Sequence, residues 1–499
     1  MTEATISLAP SLIMAPGCFA FLSKTKAKAS EPVREKAALP PPPEPQLQPH
    51  LPAAHEHFEP CFQCSGASAW DKLDAELPAY TARAPFSSDA RAAIVAAIND
   101  AAPALTKLSL YISDHPELGY HEVHAHKHLT AFLEDAGFAV ERGYKGLATA
   151  FRASYKHGSG GRVFAFNSEY DALPGIGHAC GHNLIAVSGV AAALGVRAGM
   201  RKAGLSGEVV LIGTPAEEGG VGKGVLIERG GCESPIGCQG NKGVDACMMI
   251  HPVGGMGAAP GRGAVTPTLA INTVNVEFFG RTAHAGGAPW DGVNALDAAN
   301  IAYTSISALR QQIHTTERVH GIILRGGDAP NIIPDYTAMK FYVRAQSAAG
   351  VEALIARVCA CFDGAALATG CKVKYTTERV MMDLRNNLPL AEEYAAAMGE
   401  EFHLPTYVGI DDWSVAGGST DFGNVTYEMP AAHPHYGVAS PEGGNHTVAF
   451  RNACRTDEAH DYTWKFAAGM ACVAARFMQD KAFADDVKSW YGKHTKGKK

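Results

Sequence analysis

The sequence predicts an α/β protein in which a doubly wound, mostly parallel sheet carries an inserted ferredoxin-like domain. Three observations support this fold class. Short apolar runs bounded by glycine, typical of buried parallel strands, alternate with apolar helices over residues 88–261. Beyond residue 262 the predicted order becomes βαββαβ, which is the ferredoxin-like unit. The chain also has 499 residues, enough for two to four domains at about 100–200 residues each.

The elements of the first domain follow one another in a regular order. A helix begins near Ser88, where serine and aspartate can cap it, and "KHLTAFLEDAGF" predicts a second helix that ends at Gly137. Buried strands and further apolar helices come next. The predicted strands are 161–169, 207–215 and 244–252, and the predicted helices are 183–203, 389–402 and 459–479.

The inserted domain is predicted from a change of pattern after Pro260. Its strands are 268–280, 318–327, 336–346 and 371–380, and its helices are 294–313 and 350–370. We therefore assign residues 88–261 plus 378–490 to the first domain and residues 262–377 to the insertion. Residues 1–87 contain the proline-rich stretch "LPPPPEPQLQPHLP", which predicts an extended or disordered extension.

A small cluster of histidines and cysteines follows the proline-rich stretch. His55, His57, Cys61 and Cys64 have a spacing that metal sites use. Their flanks are prone to disorder, so we favour a solvated tail over a metal site here.

Composition limits the classes of partner. Hydrophobic residues make up 46% of the chain, charged residues 19%, and the net charge is −7. This balance provides no basic surface for nucleic acid or for an anionic membrane. The apolar N-terminal run is broken by Pro16 and Gly17 and is too short to span a bilayer. The 12 cysteines form no disulfide framework, so we expect reduced thiols, a cytoplasmic location, and no nucleic-acid or membrane partner.

Reactive side chains cluster where the predicted strands of the first domain end. Ligands of open α/β sheets bind outside the carboxyl ends of the strands, so these side chains are expected to share one edge. In chain order they are Glu169, Asp171, Cys180, His182, Glu217, Glu218 and His251.

A metal site explains this set better than a thiol nucleophile or a polar turn. Thiolate, imidazole and carboxylate are ligands for zinc and similar ions, and Cys180, His182, Glu218 and His251 supply four of them. Of two adjacent glutamates, one can bind metal while Glu217 stays free as a general base toward water. A Cys–His nucleophile pair normally comes from distant parts of a chain, whereas Cys180 and His182 are close neighbours. Each residue alone has an ordinary structural explanation, and their convergence favours the metal.

Two other segments carry candidate histidines. His284 lies in a glycine-rich loop of the insertion, where it could be a surface residue or where small neighbours allow a substrate or another backbone to come close. His433, His435 and His446 lie in "AAHPHYGVASPEGGNHTVAF", and spacing alone does not decide which of them completes a metal site.

Seven ordered motifs resemble one known family. They are "HPELGYHE", "EYDALPGIGHACGHN", "TPAEEGG", "HP" at 251–252, "AHAGGAPWDGVNALDA", "NIIPD" and "NHT". Together they resemble the amidohydrolase branch of the aminoacylase/carboxypeptidase metallopeptidase family, over roughly residues 88–480. Members cleave amino-acid conjugates, aminobenzoyl-glutamate and small dipeptides, and the motifs look most like its cytosolic dipeptidases and N-acyl-amino-acid hydrolases.

The resemblance implies a role for each matching residue of the first domain. Two divalent ions per subunit would be held by five ligands, with Glu217 as the general base and Asp171 as a supporting residue. Zinc suits the thiolate and imidazole donors, and manganese and cobalt are alternatives. The implied ligands are Cys180, His182, Glu218, His251 and His446.

The resemblance also implies that the insertion is a lid and dimerisation domain. His284 would stabilise the oxyanion, in its own or the partner subunit's site. Asn331 and Arg344 would contact substrate, with Arg344 clamping a free carboxylate. Ser419 and Thr420 would line the pocket.

These expectations amount to a homodimeric, metal-dependent amidohydrolase for small amide substrates with a free carboxylate. Two alternatives stay open: an amidase of specialised metabolism that acts on one bulky conjugate, and a catalytically silent metal-binding dimeric scaffold.

Overall fold

The computed structural model describes residues 87–231, 243–255 and 259–495. The proline-rich extension and its cluster of histidines and cysteines lie outside the described residues.

The first half of the chain alternates helices with strands. Its elements are α1 (Ser88–Asp114), α2 (Val123–Asp135), β1 (Ala139–Arg142), β2 (Phe151–His157), β3 (Arg162–Glu169), α3 (His182–Ala203), β4 (Gly207–Thr214), α4 (Glu217–Gly220), α5 (Gly222–Glu228), β5 (Ala246–Met248), β6 (His251–Val253) and β7 (Gly263–Val265).

The second half contains the insertion and then returns to the first domain. Its elements are β8 (Ala270–Phe279), α6 (Ala295–Leu309), β9 (Arg318–Arg325), β10 (Tyr336–Ala345), α7 (Ala348–Thr369), β11 (Lys372–Thr377), α8 (Leu388–Phe402), β12 (Thr406–Val408), α9 (Phe422–Glu428), β13 (Ala431–Ala432), β14 (His435–Gly437), α10 (Val448–Ala453), α11 (Asp457–Gln479) and α12 (Lys481–His494).

The central sheet has six strands in the order β1-β2-β4-β3-β5-β13. β3 runs parallel to β4 and β5, and β5 runs parallel to β13. β1 and β2 add an antiparallel edge. The predicted α/β class with a mostly parallel sheet is therefore confirmed, while the antiparallel edge was not predicted because β1 is short and largely exposed.

A second, four-stranded sheet in the order β12-β7-β14-β6 corrects one predicted element. The prediction of a single strand over 244–252 is wrong, because the chain leaves the central sheet after β5 and enters this second sheet at β6. Met249 and Ile250 are buried between the two strands, so the apolar run continues and conceals the change of sheet. As a result His251 begins a strand of its own instead of following one. The chain also continues past the predicted final helix into α12.

Helix α3 forms the centre of the first domain. It packs against α1 and α11 on one side and against β3 on the other, and it is buried along nearly its whole length. Among the described residues it is the one helix whose length and composition would also allow it to cross a membrane, and 89% of that apolar stretch is buried inside the protein.

The insertion folds as the βαββαβ pattern predicts. Its sheet has the order β11-β8-β10-β9, with each neighbouring pair antiparallel, and α6 and α7 pack on one face. Val274, Phe341 and Phe362 belong to the core on that side. The inserted sheet starts at β8, because β7 joins the second sheet of the first domain instead.

Candidate metal centre

Five of the sequence-predicted site residues meet at the carboxyl ends of the central strands. Cys180, His182 and His251 offer ligand atoms that all lie within 4.8 Å of one another, and so do Cys180, Glu218 and His446. Because both groups contain Cys180, the structure places two adjacent three-ligand clusters around one thiol. A third such group consists of Glu169, His182 and Glu217.

Each of two histidine rings is held by the nitrogen that points away from the cluster. His182 donates from Nδ1 to the backbone oxygen of Asp171 at 2.9 Å and lies 3.1 Å from the Asp171 carboxylate. His251 donates from Nδ1 to the Pro252 carbonyl at 2.7 Å. Nδ1 is thus occupied as a donor in both rings, and Nε2 is the ring atom that faces the cluster and that a metal ion would bind, as in metal-binding histidines.

A glycine allows Cys180 and His182 to approach His251. Gly181 lies between them with φ +83°, in the left-handed region. A Cβ at Gly181 would meet the ring of Pro252 at 2.5 Å. A larger residue at this position would push the turn away from the strand that carries His251.

The loop that carries His446 is fastened to the same turn. The backbone N–H of His446 donates to the Ala179 carbonyl at 2.8 Å. The neighbouring Asn445 donates to the carbonyls of Cys180 and Pro252, and its own Oδ1 accepts from Gly254 N. Asn445 was not assigned from the sequence, although it begins the motif "NHT".

Glu217 and Glu218 lie in a strained turn. Ala216 and Val221 flank α4 with φ of +59° and +49°, which non-glycine residues adopt only when their surroundings enforce it. The fully buried Glu122 helps to enforce it, since its carboxylate accepts from Ala216 N at 2.8 Å and from Thr149 Oγ1 at 2.7 Å. This contact explains the final glutamate of the motif "HPELGYHE", to which sequence reasoning assigned no role.

Negative charge accumulates in this cluster. Burial raises the pKa of Glu217 well above its usual value, and the carboxylates of Glu169 and Glu218 raise it further. Burial also opposes ionisation of Cys180, but the His251 ring and hydrogen bonds from neighbouring histidines hold the pKa of its thiol well below the usual range. A thiolate beside several carboxylates is stable only with cations close by.

The donor set fits divalent metal ions. Glu169 Oε2, His182 Nε2 and Glu218 Oε1 are buried and make no hydrogen bond. Buried polar atoms without a partner are rare, and such groups are typically paired or bound to metal. Thiolate, imidazole and carboxylate are the donors that zinc and related ions prefer.

Of the remaining histidines, His433 and His435 lie beside the cluster and line the cavity next to it. The rings of His433 and His435 are 5.9 Å and 6.0 Å from the ring of His251, centroid to centroid. Neither belongs to a three-ligand group, whereas His446 does. His178 is also buried, with neither ring nitrogen hydrogen-bonded.

A cavity of about 720 Å³ opens in front of the cluster and extends to the inserted sheet. Arg344 on β10 lines it together with Ser419 and Thr420 of the first domain. Arg344 Nη1 donates to Ser419 Oγ at 2.9 Å, so the two domains touch here. Lys340 and Tyr342 line the same wall, because alternate residues of β10 face the cavity.

His284 and Asn331 lie elsewhere on the insertion. Neither His284 nor Asn331 is one of the described residues that line the cavity. They are neighbours, since Ala285 N donates to the Asn331 carbonyl at 3.0 Å. His284 Nδ1 accepts from Gly286 N and Gly287 N, which leaves Nε2 protonated and free to donate outward.

Comparisons with known proteins agree with this arrangement. Residues 270–369 match the family model described as a peptidase dimerisation domain. The chain is 40% identical to the Xaa-Arg dipeptidase of Mus musculus, over 78% of this chain and 89% of that protein. It is 31% identical to one of the subunits of the p-aminobenzoyl-glutamate hydrolase of Escherichia coli, over 62% of this chain and 63% of that protein.

Solved structures share the fold. An aminobenzoyl-glutamate utilization protein from Klebsiella pneumoniae aligns with a TM-score of 0.59 at 20% identity, over 77% of this chain and 98% of the other. A dinuclear metal-binding peptidase of the M20 family from Bacillus subtilis aligns with a TM-score of 0.53 at 21% identity, over 76% and 99%. The chain thus belongs to the M20 peptidase family, and it is a metal-dependent hydrolase of amide bonds.

Proposed function

We propose that this protein hydrolyses N-acyl amino acids, amino-acid conjugates or small dipeptides that carry a free carboxylate, with Glu217 as the general base. One observation carries the proposal: two ligand clusters around Cys180 lie beside Glu217 and open into a cavity whose far wall presents Arg344. The proposed ligands are Cys180, His182, Glu218, His251 and His446.

Each of the site residues has a separate role in the proposed reaction. When bound, divalent ions supply Lewis-acid chemistry that polarises the scissile carbonyl and lowers the pKa of the attacking water. Glu217 accepts the proton of that water and passes it to the leaving amine, a task that suits a carboxylate with a raised pKa. Asp171 orients His182 and, through Oδ2, accepts from Glu218 N at 2.9 Å.

The cavity supports recognition of a free carboxylate. Arg344 is the guanidinium next to Ser419, and a planar guanidinium binds a carboxylate through two parallel hydrogen bonds. We propose Ser419 and Thr420 as the neighbouring pocket wall. Lys340 and Glu378, 3.6 Å apart, line the same cavity and offer one charge of each sign to a substrate side chain.

The names of the two relatives suggest different substrate side chains beside the Lys340–Glu378 pair. An arginine product half, as in the mouse relative's name, would pair with Glu378. A glutamate half, as in the Escherichia coli relative's name, would pair with Lys340. Both classes therefore belong in a substrate screen.

We propose that the protein forms a homodimer through the insertion. β9 is an edge strand of the described sheet, and Ile322, Ile323 and Leu324 on it are exposed by 60%, 39% and 57%. An exposed apolar edge strand is a surface for pairing with another chain. Since His284 and Asn331 stand outside their own cavity, we propose that they act in the partner subunit's site, where His284 Nε2–H would donate to the oxyanion.

The metal and the location are proposed on chemical grounds. Zinc matches the thiolate and imidazole donors, with manganese and cobalt as alternatives. Among the described residues no disulfide is formed, which supports a cytoplasmic location.

The test is a mass-spectrometric screen of N-acyl amino acids and dipeptides, run with metal-loaded and chelator-treated protein. We expect turnover that chelation abolishes and metal restores, and that is lost when the substrate's carboxylate is converted to an amide. Full metal occupancy without turnover on the panel would favour the silent scaffold. Turnover of one bulky conjugate alone would favour the specialised amidase.

A further inference from the structure

A buried lysine lies at the back of the metal centre and has no part in the chemistry described so far. Lys223, near the start of α5, is fully buried. Its Nζ donates to Glu169 Oε1 and, at 2.5 Å, to Asp421 Oδ1. Its backbone N–H donates to the other Asp421 oxygen at 2.9 Å. Both carboxylates are themselves fully buried.

The charge of Lys223 is retained at this depth. Burial works against it, but the carboxylates of Asp421 and Glu169 outweigh burial and raise the pKa of the ammonium above its usual value. Removing one partner of such a buried group leaves an uncompensated charge, so the three residues act as a unit.

The carboxylate of Glu169 connects Lys223 to the ligand cluster. Glu169 is the last residue of β3, and its second oxygen lies 3.6 Å from His182 Nε2. Since Lys223 holds Oε1, the direction of Oε2 toward the ligand cluster is fixed.

The carboxylate of Asp421 connects Lys223 to the loop that contacts Arg344. Asp421 occupies the N-cap position of α9, where an aspartate ordinarily accepts from the first helical N–H groups. Its side chain makes no such bond here and is turned to Lys223 instead. Directly before it come Thr420 and Ser419, and Ser419 accepts from Arg344.

We propose that Lys223 is a positioning residue with two connections. Through Glu169 it is connected to the ligand cluster, and through Asp421 it holds the loop whose Ser419 accepts from Arg344, the residue proposed to bind the substrate carboxylate. The inference rests on the proposed function, since it assigns Arg344 to the substrate carboxylate. The loop before Asp421 contains Gly417 and Gly418 and forms no helix or strand, so it is held by contacts such as this one and the bond from Leu269 N to the Gly418 carbonyl at 3.2 Å.

The test compares two substitutions that each remove one partner of the same lysine. Asp421→Asn is expected to raise KM for a carboxylate substrate about 10- to 100-fold while kcat changes far less, because a misplaced clamp weakens binding. The same substrate with its carboxylate amidated should be affected little. Glu169→Gln, which removes the partner on the side of the ligand cluster, should raise KM for the carboxylate substrate much less than Asp421→Asn does.

A remote buried ion pair provides the control. Glu393 accepts from Arg476 at 3.0 Å, and both side chains are 7% exposed. Glu393→Gln is expected to lower the melting temperature as Asp421→Asn does, without the rise in KM. Equal KM shifts in all three variants, or none in Asp421→Asn, would overturn the inference.

Calorimetry separates this inference from the proposed function. Binding of the free amino acid, which keeps the carboxylate but has no scissile amide, to the metal-loaded protein is measured for wild type and Asp421→Asn, with metal content and melting temperature recorded. If the wild-type protein shows no turnover, the proposed function is wrong. The inference still predicts weaker binding by Asp421→Asn in that case. Unchanged affinity in that variant overturns the inference.

Discussion

At the scale of single residues, the ligand cluster depends on side chains that never touch the substrate. Asp171 receives the Nδ1–H of His182 and the backbone N–H of Glu218, so it orients two proposed ligands from different elements. Burial acts to raise the pKa of Asp171, but the hydrogen bond and charge of the neighbouring His182 hold that pKa below its usual value.

Asp171→Asn should therefore weaken metal binding. We expect an affinity loss of about 10- to 100-fold, the usual effect of removing a carboxylate that orients a ligating histidine. Titration with a competing chelator measures it. The control is Asp383→Asn, because Asp383 is equally buried but bonds to Ala348, Arg385 and Tyr427. A loss of equal size in both variants would speak against a specific role for Asp171.

The sequence predicted which residue types meet, but not all of their supports. Cys180, His182 and Glu218 were recognisable because they follow strand ends in short motifs. Lys223 was not, because its partner Asp421 is 198 residues away and a lone lysine among glycines normally lies in solvent. Only folding brings the two together.

At the scale of elements, the edge strand β9 carries the proposed subunit contact. Substituting lysine for both Ile322 and Leu324 places charge on the exposed edge, which is how natural edge strands avoid pairing. We expect a monomer with normal metal content and little activity, because His284 no longer reaches a partner's cavity.

Analytical ultracentrifugation and metal analysis measure this outcome. Leu367→Lys is the matched control, since Leu367 is 87% exposed on α7, away from the edge. That variant should stay dimeric and active. A fully active monomer would show that the insertion does not complete a partner's site.

Periodicity predicted the elements of the insertion well, since its strands alternate and its helices are long. It failed at β5 and β6, where one continuous apolar run serves two sheets. Hydrophobicity records burial, and it does not record which sheet supplies the hydrogen bonds.

At the scale of the whole molecule, two domains share one cavity. The first domain supplies the ligand clusters and Glu217, and the insertion supplies Arg344 across the gap. The order of elements predicted this division from sequence. The docking of β10 onto the loop at Ser419 was not predictable from spacing, because it depends on how the two folded sheets face each other.

The proposed amide hydrolysis at this centre requires Glu217 as the general base. Its most direct test is the kcat of Glu217→Gln, measured together with metal content on a substrate that the wild-type protein turns over. We expect unchanged metal content and a kcat lower by about 100- to 10,000-fold, the usual contribution of a positioned general base. Full turnover by a metal-loaded Glu217→Gln protein would contradict it.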